Sequence, residues 1–368
     1  MKNYERWLAS NKLGESERAE LEALRGNEDE IKERFSSLLS FGTAGLRGTM
    51  AMGMHNMNIY TVTQATQGFA AYIRACGEDA VKRGVVVGCD SRHNSRRFSR
   101  ATAAVMANNG IKVYLFASIQ PTPELSFAVR RLGATAGVNI TASHNPKQYN
   151  GYKAYWEDGA QVTAPRDKEI ITEVKNVTDY HEVKTMEKKE AMDKGLYQVI
   201  GKEIDDAYMA ELKKQIIHPE IIKEVADEIK IVYTPFHGTG NVPVRRILSE
   251  LGFKHVYVVP EQELPDPDFT TLEYPNPEDP KAFTLALKLA KKVDADIVLA
   301  TDPDADRLGI YAKDSKSGEY MPFTGNMSGM LIAEYILRER TATHTMPENP
   351  ALVTTIVTTN MAGAIAKD

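Results

Sequence analysis

The sequence predicts a repeated mixed α/β architecture, and three observations carry that prediction. Residues 85–116, "VVVGCDSRHNSRRFSRATAAVMANNGIKVYLF", read as apolar strand, polar loop, amphipathic helix, glycine and second strand. Residues 229–259, "IKIVYTPFHGTGNVPVRRILSELGFKHVYVV", repeat the plan at nearly the same length, again with a histidine in the loop after the first strand. A third copy is expected to begin at "ALVTTIVTTNMAGAIAKD", 351–368, where the sequence ends inside the helix. Strands alternating with helices imply parallel pairing and helices on both sheet faces. Ligands are then expected in loops at the carboxyl ends of the strands.

The elements follow in order. Residues 3–40 carry Leu and Phe at three- and four-residue spacings among charged residues, which predicts helix. The glycines of "SFGTAGLRGTM" break that pattern, and helix resumes over 60–76. An apolar strand is expected over 137–142, ending at Ser143. The charged stretch 176–206 and the segment 314–325 are the candidate boundaries. They give a first domain over 1–205, a second over 206–318 and an incomplete third over 319–368. The segment 260–280 holds six prolines, which exclude a regular helix or a central strand and predict an ordered loop.

Composition bounds the function. The chain has 368 residues, of which 42% are apolar and 26% charged, in the range of globular proteins. Net charge is −5 with the signs interleaved, so no basic stripe suits a nucleic acid or a membrane surface. An anionic substrate would need positive charge concentrated in one cleft. No apolar run approaches the roughly 20 residues of a membrane span, and the N-terminus lacks a signal-peptide pattern, so a cytoplasmic location is expected. Cys76 and Cys89 fit no metal spacing and read as buried small side chains in a reducing compartment.

The chemistry concentrates in two stretches. In "ITASHNPKQYNGYK", 140–153, a hydroxyl at a strand end is followed by an Asn-Pro turn. Ser143 reads either as a nucleophile or as a turn cap. A hydrolase elbow, G-x-S-x-G, is absent. His144 is expected to be a poor base for Ser143, because neighbours in extended chain point to opposite faces. In "ADIVLATDPDADRLGIY", 295–311, an apolar strand leads into Asp302, Asp304 and Asp306. Alternate residues of extended chain face one way, so the three carboxylates are expected to converge on a cation, and oxygen donors suit magnesium. An EF-hand fails, since Arg307 stands at its sixth position and Lys313 at its twelfth. A solvated acidic turn is the alternative. A phosphoryl group on Ser143 would add about −1.5 to −2 to the trio's −3 and the metal's +2. Arg47, Lys153 and Arg307 are the cations in the motifs that could balance it, a set suited to phosphoryl transfer. Gly42, Gly45 and Gly48 would allow close backbone approach to a phosphate.

"GTAGLRG", "TASHNP" with "NGYK", "PFHGTG" and "DPDADR", in this order, resemble the α-D-phosphohexomutases, the phosphoglucomutases and phosphomannomutases. The likeness runs from about residue 38 to the C-terminus and is nearest the branch of bacterial phosphoglucomutase and the phosphoglucomutase-2 and phosphopentomutase type. It implies four domains around a cleft, of which this chain would hold two and the start of a third, without the sugar-recognition and distal phosphate loops. It implies a phosphoserine at Ser143 and Mg2+ held by that phosphoserine with Asp302, Asp304 and Asp306. It places Arg47, His144 and Lys153 around the reacting groups, one of them shuttling a proton, with Arg47, Lys153 and Arg307 on substrate. His237 receives no chemical role. The expected reaction interconverts glucose 1-phosphate and glucose 6-phosphate through glucose 1,6-bisphosphate. Phosphopentomutase, phosphomannomutase or sugar-1,6-bisphosphate synthase activity is the alternative, and a sugar-phosphate-binding protein without activity is the non-enzymatic one. The partners expected are small sugar phosphates, with the oligomeric state open. The chain by itself is expected to turn over poorly.

Overall fold

Val85, Val86 and Val87 are all fully buried, yet they pack into two different clusters. Val85 and Val87 join one with Val113 and Leu115; Val86 joins another with Tyr114 and Phe116. That alternation is the period of two of a strand covered on both faces. The computed structural model describes residues 1–39, 41–42 and 45–367, with the side chains of all but Phe41, Gly42 and Tyr180. The chain divides into two compact units, Met1–Asp205 with Asp266–Phe269, and Asp206–Pro265 with Thr270–Asp368.

The first unit holds strands β1 (Phe41–Gly42), β2 (Gly45–Thr49), β3 (Val85–Cys89), β4 (Val113–Phe116), β5 (Ala136–Ile140), β6 (Tyr149–Trp156) and β7 (Tyr197–Ile200). They form one sheet in the order β1-β2-β6-β5-β3-β4-β7. The run β5-β3-β4-β7 is parallel and β1, β2 and β6 pair antiparallel. Helices Ile59–Ala75 and Ser95–Asn108 supply Phe69, Ile73, Phe98 and Met106 to one face; helix Thr122–Arg131 supplies Leu125 and Val129 to the other. Asn58 starts the first of these by accepting the main-chain N–H groups of Tyr60 and Thr61.

The second unit holds β8 (Lys230–Thr234), β9 (His255–Val258), β10 (Ile297–Thr301), β11 (Leu308–Lys313) and β12 (Tyr320–Phe323), in the order β12-β11-β10-β8-β9. Here β9, β8 and β10 are parallel, and β11 and β12 antiparallel. Tyr320–Phe323 is thus hydrogen-bonded into this sheet.

Several elements differ from expectation. The helical stretch 3–40 is three helices, Lys2–Leu8, Glu15–Ala23 and Glu28–Phe35. Gly14 caps the second, its N–H donating to Glu17 Oε2, and Gly26 takes φ +87°, which ends the turn after it. Their apolar residues close a separate cluster around Trp7, Leu21 and Phe35. In 260–280, Pro260–Glu263 forms one helical turn, with proline at the first position where its missing N–H costs nothing. No strand forms over 351–356: Val353 and Ile356 are exposed at 88% and 101%, and an apolar strand without a neighbour to pair has no stable form. Only a short helix, Met361–Ile365, follows. Cys89 is buried, and burial pushes its thiol up to about 11; Cys76 is exposed, because it sits just past the last turn of helix Ile59–Ala75.

Candidate functional site

In the first unit, β3 and β5 lie side by side and in parallel, with Cys89 opposite Ile140. Their following loops, from Asp90 and from Thr141, therefore leave the same edge of the sheet together. The strand ends at Ile140, two residues before expectation. The Thr141 hydroxyl accepts the Ser143 N–H at 2.9 Å, and the Asn145 N–H donates to the Ala142 carbonyl at 3.1 Å. These bonds turn the chain. Ser143 sits in that turn at φ +53°, in the left-handed region, and is 3% exposed.

This backbone conformation corrects the expectation for His144. The chain is not extended at Ser143, so the neighbours do not diverge: Ser143 Oγ lies 3.2 Å from His144 Nδ1. Arg47, in the middle of β2, reaches the same loop through its Nη1, which donates to Asn145 Oδ1 at 3.1 Å. Lys153 is buried on β6, opposite Gly45 on one side and Asn139, four residues before Ser143, on the other.

Within "GTAGLRG", Thr43 and Ala44 lie outside the described residues. Gly45 has a reason other than phosphate approach: at φ +128°, a Cβ there would stand 1.8 Å from the Tyr152 carbonyl oxygen. The close pairing of β2 with β6 demands the glycine.

The second unit repeats the geometry. Parallel β8 and β10 are adjacent, Thr234 opposite Ala300, so the loops 235–240 and 302–307 emerge together. One ligand atom from each of Asp302, Asp304 and Asp306 lies within 4.8 Å of the others. Asp302 and Asp304 are fully buried and Asp306 is exposed. The carboxylates meet through a tight turn and not through extended alternation. The Ala305 N–H donates to the Asp302 carbonyl at 2.9 Å, and Ala305 takes φ +52°. The Arg307 N–H donates to Asp302 Oδ1 at 3.1 Å while its side chain is exposed. Buried carboxylates this close repel strongly without a cation. The donor set is all oxygen and suits a hard divalent ion such as Mg2+.

The loop 235–240 underpins that turn. Thr239 N–H donates to the Pro303 carbonyl at 2.8 Å, and a Cβ on Gly238 would stand 2.4 Å from Pro303 Cα. Phe236 and His237 both have positive φ, +44° and +60°. His237 is buried, with Nδ1 3.0 Å from the Leu264 carbonyl and Nε2 2.8 Å from Thr271 Oγ1. Both ring nitrogens thereby tie the loop 235–240 to the segment 264–271.

Models of the phosphoglucomutase/phosphomannomutase alpha/beta/alpha domains I and II match residues 38–181 and 206–317. The chain belongs to the phosphoglucomutase/phosphomannomutase family. As a member it is 38% identical over 358 residues to a Pongo abelii protein named phosphopentomutase, covering 93% of this chain and 57% of that one. It is also 38% identical over 363 residues to a Pongo abelii protein named glucose 1,6-bisphosphate synthase, covering 93% and 56%. A solved phosphoglucomutase/phosphomannomutase family protein of Burkholderia thailandensis shares the fold at a TM-score of 0.60 and 22% identity, over 82% of this chain and 59% of that one. The chain spans little more than half the length of the curated relatives it matches. No helix among the described residues is long and apolar enough to cross a membrane.

Sequence reading of this phosphoglucomutase/phosphomannomutase chain passed over Asp90 and Arg92. "CDSRHN" looks like an ordinary polar loop after a strand. Yet both side chains are buried, with Arg92 Nε 3.1 Å from Asp90 Oδ2. Burial pushes the Asp90 carboxyl up, and Arg92, the Ser95 hydroxyl and the Thr141 hydroxyl pull against it. The one signal available was position: this loop follows a strand that has to neighbour the one before Ser143.

Proposed function

We propose that this chain carries the phosphoryl-carrier serine and the metal-holding carboxylates of a phosphosugar mutase, with glucose 1-phosphate and glucose 6-phosphate as the substrate pair. Ser143 carries a phosphoryl group and gives it to the free hydroxyl of the bound glucose monophosphate: the bond from phosphorus to the sugar oxygen forms, the bond from phosphorus to Ser143 Oγ breaks, and the hydroxyl proton passes through His144 Nδ1 to Oγ, leaving glucose 1,6-bisphosphate. Ser143 Oγ then attacks the other phosphorus of that bisphosphate as its proton passes to His144 Nδ1. The bond from that phosphorus to its sugar oxygen breaks, the sugar oxygen takes the proton, and the isomeric monophosphate leaves with the phosphoserine restored. Asp302, Asp304 and Asp306 would hold Mg2+, which would supply positive charge to neutralise phosphoryl oxygens. Arg47 and Lys153 add fixed positive charge on the serine side, and Arg307 on the carboxylate side. A cytoplasmic location and freely diffusing sugar phosphates go with this reading.

The observation that carries it is the 3.2 Å approach of a serine hydroxyl to an imidazole in a loop at the carboxyl end of a parallel strand. That is the arrangement of an activated nucleophile. Relatives of equal identity bear the names phosphopentomutase and glucose 1,6-bisphosphate synthase, so likeness does not select the sugar or the donor.

The test is uptake of phosphate by the chain, followed by intact mass. With glucose 1,6-bisphosphate and Mg2+, the wild type should gain one phosphate and Ser143→Ala none. Equal labelling of both would refute Ser143 as carrier. Faster uptake from ribose 1,5-bisphosphate would favour a phosphopentomutase. Uptake only from a donor that is not a sugar phosphate would favour a synthase.

A further inference from the structure

Arg92 is a long cationic side chain with no exposed surface, and its surroundings account for that burial. Its Nη2 donates to the main-chain carbonyls of Ser143, at 2.6 Å, and Asn145. Its Nη1 donates to those of Pro146, at 2.8 Å, and Tyr149, at 3.1 Å. Its Nε faces Asp90 Oδ2 at 3.1 Å, so one guanidinium engages four carbonyls and a carboxylate. Asp90 is itself fixed, because Oδ1 accepts from the Ser95 hydroxyl at 2.7 Å and from the Arg92 N–H at 3.0 Å. The Phe269 ring roofs the guanidinium at 5.0 Å. The same short segment anchors beside it, with Asp268 3.2 Å from Lys147 Nζ and 3.3 Å from His93 Nε2.

We propose that Arg92, charge-balanced by Asp90 and covered by Phe269, is a positioning residue for phosphoryl transfer at Ser143; this rests on the reading of function given above. The peptide group is planar, so the direction of the Ser143 carbonyl sets the plane that joins Ser143 to His144. Holding that carbonyl inward keeps Ser143 in its left-handed conformation, and that conformation brings Oγ to the imidazole. Without the grip, the peptide is free to rotate toward the commoner right-handed region, which separates the two groups. Lysine cannot substitute. It offers three donors from one point where arginine offers five in a fixed plane.

The test uses Arg92→Lys in the whole chain, with near-UV circular dichroism as the check on folding. Phosphate uptake from glucose 1,6-bisphosphate is followed against pH, and amide hydrogen exchange is mapped over 141–149. The expected result is a folded variant whose uptake is slower by about 10²-fold, the scale for a misplaced reacting group. Its rate should lose the wild-type dependence on pH, and faster exchange should be confined to 143–149. A folded variant with wild-type rate overturns the proposal. So does a slower variant with the wild-type pH profile, since that marks a merely structural residue. Should Arg92→Lys not fold, Phe269→Leu takes its place: it keeps every donor and removes the roof. About tenfold slower uptake with the same change in pH profile supports the role, and wild-type behaviour overturns it. A wild type that takes up no phosphate sinks the reading of function instead. Hydrogen exchange in the variant then still decides whether Arg92 orders residues 143–149.

Discussion

Ser143 Oγ lies 3.2 Å from Nδ1 of His144, its immediate neighbour in the chain. Adjacent side chains meet this way only because Ser143 adopts φ +53°. On the proposed function, the pairing would make His144 the acceptor of the serine proton during phosphoryl uptake. His144→Gln should slow uptake by Ser143 roughly 10²- to 10⁴-fold, the span of general-base contributions. Time-resolved intact mass with glucose 1,6-bisphosphate checks it. A rate within twofold of wild type would remove His144 from the reaction.

The aspartate trio makes a prediction whose sign depends on metal. In chelator, three carboxylates with donor atoms within 4.8 Å of one another oppose folding of the second unit. Asp304→Asn removes one charge and should raise the melting temperature there. With Mg2+ the order should reverse, because the wild type gains binding free energy that the variant loses. At a hundredfold excess over Kd that gain is about 2.7 kcal/mol. Differential scanning calorimetry in EDTA and in Mg2+ reads both signs. A variant that melts like the wild type in both buffers would remove the trio as a metal site.

The parts that were legible in the sequence and those that were not separate by physical cause. Val85–Cys89 and Lys230–Thr234 could be read because buried strands need runs of apolar, mostly β-branched residues. The aspartates stood out because three acids directly after an apolar strand repel one another unless a cation lies between them. The His144 contact was hidden, since it depends on one backbone angle that no side-chain pattern encodes. Arg92 was hidden for another reason. The four carbonyls it grips lie 51 to 57 residues away, and only the adjacency of β3 and β5 brings them within reach. The strand expected at 351 failed because pairing, not composition, makes a strand.

Gly238 tests whether the loop 235–240 supports the turn that carries the three aspartates. A methyl there would press on Pro303 backbone atoms at 2.4 to 2.8 Å, and backbone cannot swing aside. Gly238→Ala should cost about 1–3 kcal/mol by urea unfolding, as overpacking does. It should also weaken Mn2+ binding, measured by the free-ion electron paramagnetic resonance signal. Gly329→Ala is the contrast. It lies in the helix Gly325–Ala342 with open space around its missing Cβ, and should stabilise by roughly 0.5–1 kcal/mol. Equal effects from the two changes would contradict the packing argument.

His181 should make the N-terminal helices sensitive to acid. Its ring stacks on Tyr60 at 4.5 Å and meets Trp7 edge-on at 4.8 Å. Burial pushes its pKa below the usual histidine value; Asp179 opposes that shift and Arg6 adds to it. The folded state therefore disfavours the imidazolium, whereas the unfolded chain binds a proton near pH 6.5. Stability should be full above that value, fall as pH drops through it, and level off below the folded pKa. Trp7 fluorescence during urea unfolding at pH 8 and pH 5 reports the loss. His181→Phe keeps an aromatic ring in the stack and cannot titrate, so its stability should change less over this range. An identical pH dependence in wild type and variant would assign the acid sensitivity to other groups.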